Sequence, residues 1–213
     1  MDEESGAELF LVLEAGQSAM DRLTAALAAV PIASVLIVPP SDSALDAAEV
    51  EALVQQAQSQ GAAALLLADA DLARRLRADG VHLPYSKSIE ADYRGARQIV
   101  GPRAIVGVHA GKSRHDAMLL AEAGADYIAF GVPDGVQDQE AARARRLELV
   151  AWWAEIFEIP CVALDVESPE DAAQLSEAGA DFVAVKLGGG MPLATVASRL
   201  EAIADALAIT PAD

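Results

Sequence analysis

Eight short apolar runs punctuate the chain, at residues 9–13, 35–38, 64–67, 81–83, 105–108, 127–130, 161–164 and 182–185. They are apolar throughout rather than alternating, which predicts buried parallel strands covered on both faces. Between them, apolar residues recur every three or four positions, the spacing of amphipathic helices. Leu193, Val196, Ala197, Leu200, Ile203, Ala204 and Leu207 give the clearest case, and Leu147, Val150, Ala151, Ala154 and Phe157 repeat it in the sixth interval.

Helix starts are marked as well. Ser18 with Asp21, Ser43 with Asp46, Ser113 with Asp116 and Ser168 with Asp171 each follow a predicted strand. A serine oxygen there accepts from free backbone amides, and the acid complements the positive end of the helix. Pro169 and Pro192 suit first helical positions, where no amide hydrogen is needed.

An internal echo supports a repeated unit. Glu122-Ala-Gly-Ala-Asp-Tyr-Ile-Ala129 recurs 55 residues later as Glu177-Ala-Gly-Ala-Asp-Phe-Val-Ala184. Each copy reads as a helix ending at glycine, a tight turn and a buried strand. Ala78-Asp79-Gly80-Val81 is a fainter copy; the aspartates of the two Gly-Ala-Asp repeats, Asp126 and Asp181, read as structural. Eight strand–helix units without a linker predict one α/β domain over 1–213, a single (β/α)8 TIM barrel with short tails. The runner-up, an open doubly wound sheet, lacks its glycine-rich fingerprint at Glu14-Ala15-Gly16-Gln17-Ser18.

Composition narrows the partners. A formal charge of −18 opposes nucleic acid and anionic membranes, whose phosphates are held chiefly by lysine and arginine. No apolar run approaches the ~20 residues that span a bilayer, and the acidic start does not resemble a signal peptide, so a soluble, cytoplasmic protein is expected. Cys161 is the single cysteine and lies in an apolar run, which predicts buried packing.

Barrel chemistry sits at the C-terminal ends of the strands. Here those positions are Glu14, 39–42, Ala68 and Asp69, 84–87, 109–112, 132–134, Asp165 and 186–190. The three lysines of the chain, Lys87, Lys112 and Lys186, all follow strands on that side, against twelve arginines elsewhere. They are expected to converge on one cavity and there bind an anion, with Asp69 and Asp165 offsetting their charge. Lys186 leads into Gly188, Gly189 and Gly190, where backbone amides can approach a ligand before the last helix starts. A small phosphorylated molecule is the expected partner, with Lys186, Gly188, Gly189 and Gly190 binding the phosphate. His109, Lys186 and Asp69 are the catalytic candidates; His82 reads as a packed core histidine and His115 as solvated.

Leu66-Leu67-Ala68-Asp69, Ala78-Asp79-Gly80-Val81-His82-Leu83, Ile105-Val106-Gly107-Val108, 124–131, 159–163 and 179–185 together resemble thiamine-phosphate synthase and its relative, the thiazole tautomerase TenI. The resemblance runs from about residue 60 to 190, and the first two units match only in pattern. It implies a TIM barrel and a transferase of thiamine biosynthesis. Such an enzyme joins a pyrimidine diphosphate to a thiazole phosphate, with magnesium neutralising the pyrophosphate. Of the family's paired magnesium acids, Asp69 remains and Lys87 replaces the second. The basic set of the second strand is absent from 35–40, and the Thr-Lys-Thr loop is missing from 132–137. Leu164-Asp165 stands where the family has Gly-Gly, and Val132 where TenI has its catalytic histidine.

Three readings stay open at this point: a phosphate-binding barrel with transferase chemistry, a non-catalytic binding or regulatory barrel, and a Schiff-base lyase using Lys186. A homodimer is left open too.

Overall fold

Parallel pairing runs from each strand to the next until the eighth returns to the first, and so closes the sheet. The computed structural model describes residues 6–40, 45–133 and 135–208; the cap expected at Ser43 lies outside them. The strands are β1 (Glu8–Glu14), β2 (Ser34–Val38), β3 (Ala63–Leu67), β4 (Gly80–Leu83), β5 (Ile105–His109), β6 (Tyr127–Phe130), β7 (Cys161–Val166) and β8 (Phe182–Leu187). The helices alternate with them: α1 (Ala19–Ala29), α2 (Ala47–Ser59), α3 (Ala70–Leu76), α4 (Ile89–Val100), α5 (Arg114–Glu122), α6 (Gln139–Ile156), α7 (Pro169–Glu177) and α8 (Leu193–Ala208). This is a single (β/α)8 TIM barrel.

Period-two side-chain alternation sorts the strand residues into two cores. Phe10, Leu36, Leu65, Tyr127, Val162 and Ala184 form the inner cluster. Leu9, Leu11 and Leu13 of β1 point the other way and join the larger cluster beneath the helices. Continuous apolar strands follow directly, since both faces are covered.

The repeat aspartates have a defined task at the N-terminal end of the barrel. Asp79, just before β4, accepts the Ala64 amide of β3 at 2.7 Å. Asp126, before β6, accepts the Val106 amide of β5 at 2.7 Å. Asp181, before β8, accepts the Cys161 amide of β7 at 2.7 Å. Each carboxylate satisfies an amide at a strand start that the ladder leaves unpaired. The sequence echo is therefore structural, as expected. Cys161 is buried, and burial, then the nearby Asp181 charge, pushes its thiol pKa up.

Two of the expected caps form, at Ser113 on α5 and Ser168 on α7. Asp46 caps α2 itself, accepting from Ala48 and Glu49. Ser18 makes no side-chain cap on α1; it has φ 60°, a left-handed conformation rather than the extended one usual for a capping serine. Pro192 immediately precedes α8 rather than opening it.

Candidate functional site

Seven of the eight strands, together with Val132 and Pro133 of the loop after β6, line one cavity of about 340 Å³ at the C-terminal mouth. Its walls are mostly apolar, with Val12, Leu36, Val38, Leu67 and Leu164 among them. The polar groups are few: His82 on β4, His109 on β5, Asp165 on β7 and Lys186 on β8. An apolar pocket with a handful of convergent polar groups is the form small-molecule sites take.

His82 sits at the base of this cavity, only 3% exposed. Its Nδ1 is hydrogen-bonded to the Tyr127 hydroxyl at 2.8 Å. Burial, then the charge of neighbouring His109, pushes its pKa down to about 3, so the ring is neutral near pH 7. Burial, then Asp126, pushes the Tyr127 phenol pKa up, so it keeps its proton. Both the core reading of His82 and its presence in the cavity hold at once. His115 is exposed on α5, as expected.

His109 and Asp165 both approach Gly131. A methyl group built on Gly131 would lie 2.7 Å from Asp165 Oδ2 and 3.5 Å from His109 Cε1. Asp165 Oδ2 also accepts the Val132 amide at 2.9 Å, tying β7 to the loop after β6. Asp165 reaches this place because it has φ 60°, at an irregularity of β7 between Ala163 and Val166. Asp134, part of the expected mouth loop, lies outside the described residues.

The structure does not bring the three lysines into one cavity. Lys186 lines the mouth and is exposed. Lys87 instead lines a separate cleft of about 340 Å³ between α4 and α5, with Tyr85, Ser88 and Asp116. Lys112 is exposed and is not among the residues lining the mouth. The physical reason is orientation. Lys186 is on a strand at an inward position, two residues beyond inner-core Ala184, whereas Lys87 and Lys112 lie in loops where strand alternation has ended.

Asp69 does not line the mouth either. It caps α3, its Oδ1 accepting the Leu72 amide at 2.8 Å, and it borders a groove outside the barrel. With Lys87 turned into another cleft, these residues do not fit a magnesium site. Among the described residues no group of three or more metal-ligating side chains is present.

At the glycine loop, the Gly189 amide donates to Glu14 Oε2 at 3.1 Å. Beneath it lies Arg22, 1% exposed. Its Nη2 donates to the Glu14 carbonyl at 2.9 Å, and its Nη1 to the carbonyls of Gln17 at 3.0 Å and Gly189 at 3.4 Å. Arg146, equally buried, donates to the carbonyls of Leu164 at 2.7 Å and Asp165 at 2.8 Å and pairs with Asp171. The sequence reading missed both arginines. The available signal was a charge within an apolar helical stripe: Arg22 among Ala19, Leu23 and Ala26, and Arg146 among Ala142, Leu149 and Val150.

Comparison with known proteins agrees with this architecture. The chain matches the family described as thiamine monophosphate synthase over residues 9–188. It is 42% identical over 146 residues to the thiamine-phosphate synthase of Rhodospirillum centenum (strain ATCC 51521 / SW), covering 68% of each chain. It is 47% identical over 116 residues to that of Erythrobacter litoralis (strain HTCC2594), covering 54% of this chain and 53% of the relative. The matched segments thus span about half to two thirds of these relatives. Among solved structures, a thiamine phosphate pyrophosphorylase from Pyrococcus furiosus superposes with a TM-score of 0.74 at 20% identity, covering 98% of this chain and 99% of that one. That likeness speaks to the fold. The match over residues 9–188 and the Rhodospirillum relative together establish that this chain belongs to the thiamine monophosphate synthase family.

Proposed function

We propose that this chain binds a small phosphorylated metabolite in the barrel mouth. Lys186 and the loop of Gly188, Gly189 and Gly190 take the phosphate, and the apolar wall takes the body of the ligand. The observation that carries the reading is the placement of Lys186. It is the one lysine or arginine lining the mouth cavity among the described residues, and it leads into the glycine loop before α8. A cation beside a glycine-rich backbone that leads into a helix start favours an anion. Family membership makes thiamine-phosphate-synthase chemistry the first reaction to test. The net charge of −18 argues against nucleic acid and anionic membranes as partners, and the cytoplasm is the proposed location; among the described residues no helix is long and apolar enough to cross a membrane.

A second reading, binding without turnover, is favoured by a specific observation. Asp69 is committed to capping α3, and Lys87 stands in the place of the second magnesium acid. A pyrophosphate leaving group then lacks the two-acid metal site the family reaction draws on. The lyase reading has less support: imine-forming lysines are activated by desolvation, and Lys186 is exposed.

Supplying pyrimidine diphosphate, thiazole phosphate and magnesium, with thiamine phosphate as readout, separates the first two readings. Little or no product is expected, while the thiazole phosphate alone still binds in calorimetry. Turnover on the order of 1 per second or more would establish transferase activity through other residues. Absence of binding by any phosphate ester would overturn the site itself.

A further inference from the structure

The glycine loop already holds an anion, and it is the protein's own. Glu14 ends β1, and its carboxylate accepts the Gly189 amide at 3.1 Å. Methyl groups built on Gly188 and Gly189 would lie 3.5 Å from Glu14 Oε2 and 3.2 Å from Oε1, so the carboxylate lies against the bare backbone of both residues. A negatively charged group therefore rests in the place proposed for a ligand phosphate.

Arg22 completes a closed circuit with these two residues. Its Nη2 holds the Glu14 carbonyl and its Nη1 reaches the Gly189 carbonyl, while Gly189 holds the Glu14 carboxylate. The guanidinium is 1% exposed, and it donates to the carbonyl oxygens of Gln17, Gly189 and Glu14. It forms no ion pair within 4.0 Å among the described residues, and its Nε is buried without a hydrogen-bond partner. A buried guanidinium with no carboxylate beside it is costly, and its field favours negative charge on the loop just above it.

We propose that Glu14 is the resident anion of the glycine loop, and that a ligand phosphate binds there by exchanging with its carboxylate. Arg22 is the positioning residue that fixes the end of β1 and the loop in one geometry for either occupant. This deepens the phosphate-binding reading and rests on it. The exchange makes Glu14 a determinant of specificity. Binding a phosphate costs the Glu14–Gly189 contact, so only ligands that regain it through the rest of the mouth bind well. Inorganic phosphate, which touches the loop alone, is disfavoured relative to an ester whose body fills the cavity.

The test is calorimetric titration of inorganic phosphate into the parent chain, Glu14→Gln and Glu14→Ala, with the Gly189 amide resonance followed by NMR. Glu14→Ala removes the competitor and is expected to tighten phosphate binding about tenfold. Glu14→Gln keeps an acceptor without the charge and should gain a few-fold. The Gly189 resonance should move when phosphate is added to each. Parent binding that Glu14→Ala leaves unchanged or weakens overturns the exchange and leaves the phosphate site standing. If neither parent nor Glu14→Ala binds phosphate, and neither binds a phosphate ester, the exchange and the phosphate-binding reading both fail. If inorganic phosphate binds but leaves the Gly189 amide unmoved, the seat lies elsewhere and the exchange is overturned.

Discussion

Tyr127 and His82 are hydrogen-bonded at 2.8 Å inside the barrel, their rings stacked with centroids 5.7 Å apart. His82 lines the mouth cavity, and Tyr127 backs it from the inner core, a buried polar contact in an otherwise apolar interior. Its charge state is set by burial, with His82 pushed down to about pKa 3.

That depression makes stability depend on pH. An unfolded imidazole titrates near ~6.5, so between about pH 6.5 and 3 the unfolded chain binds the proton that folded His82 refuses. Stability then rises with pH across this window; the contribution is full above it and is lost as pH falls toward 3. Carboxylates add their own titration below ~5, so the upper part of the window isolates histidine. Denaturant midpoints at pH 6.5 and 5 should show the parent losing on the order of 1–2 kcal/mol, and His82→Gln losing less. Parallel curves for the two proteins would show that His82 charges as easily folded as unfolded.

The same pair explains why β5 carries a glycine in its middle. A methyl group on Gly107 would lie 1.8 Å from Tyr127 Cζ, a distance no rotamer adjustment of a packed ring absorbs. Gly107→Ala should destabilise the barrel by about 3 kcal/mol or more, the upper range for overpacking. Adding Tyr127→Phe, which leaves the ring in place, should not restore stability. Adding Tyr127→Leu should recover part of it. Rescue by the phenylalanine variant would show that the hydroxyl, not the ring, creates the crowding.

The order of elements was legible because burial on both faces makes a strand apolar throughout, and all eight runs stand out. β7 extends past its apolar run to Val166 through an irregularity in which Asp165 takes a left-handed conformation, a feature that the apolar pattern does not announce. The lining of the mouth cavity was legible where strand periodicity still applies, as at His109 and Lys186. It failed for Lys87 and Lys112, whose loops have no fixed inward face. It failed differently for Arg22 and Arg146: arginine is so often a solvated surface charge that a buried one is recognised only by its place in an apolar stripe.

Arg146 holds the irregular end of β7 that places Asp165. Its guanidinium bonds the Leu164 and Asp165 carbonyls and pairs with Asp171. Arg146→Ala leaves two carbonyls and a largely buried carboxylate without their partner, so a loss of about 3–5 kcal/mol is expected. Asp165→Asn should cost little, since asparagine tolerates positive φ and still accepts from Val132. Asp165→Ala loses both features and should cost about 1–3 kcal/mol. Urea unfolding of the three variants checks the order; an alanine at 165 that is as stable as asparagine would remove the Val132 contact from the account.

Lys186 and Lys87 give the sharpest functional contrast, because they are alike in chemistry and differ only in where the fold aims them. Lys186 lines the mouth cavity at an inward strand position, whereas Lys87 lines the cleft between α4 and α5. If the phosphate is held in the mouth, Lys186→Ala removes a charge-assisted hydrogen bond at the ligand. The expected loss is about 1.5–3 kcal/mol, roughly a tenfold or greater rise in Kd for thiazole phosphate. Both variants should remain folded, since both side chains are exposed. Lys87→Ala lowers the overall charge by the same amount, so it controls for long-range attraction and should leave Kd within about twofold. Raising the salt concentration weakens that long-range part by screening, and the Lys186 effect should survive it. Equal losses from the two substitutions would show that the anion is attracted by the general field rather than held at the strand end. A larger loss from Lys87→Ala would move the site to the outer cleft.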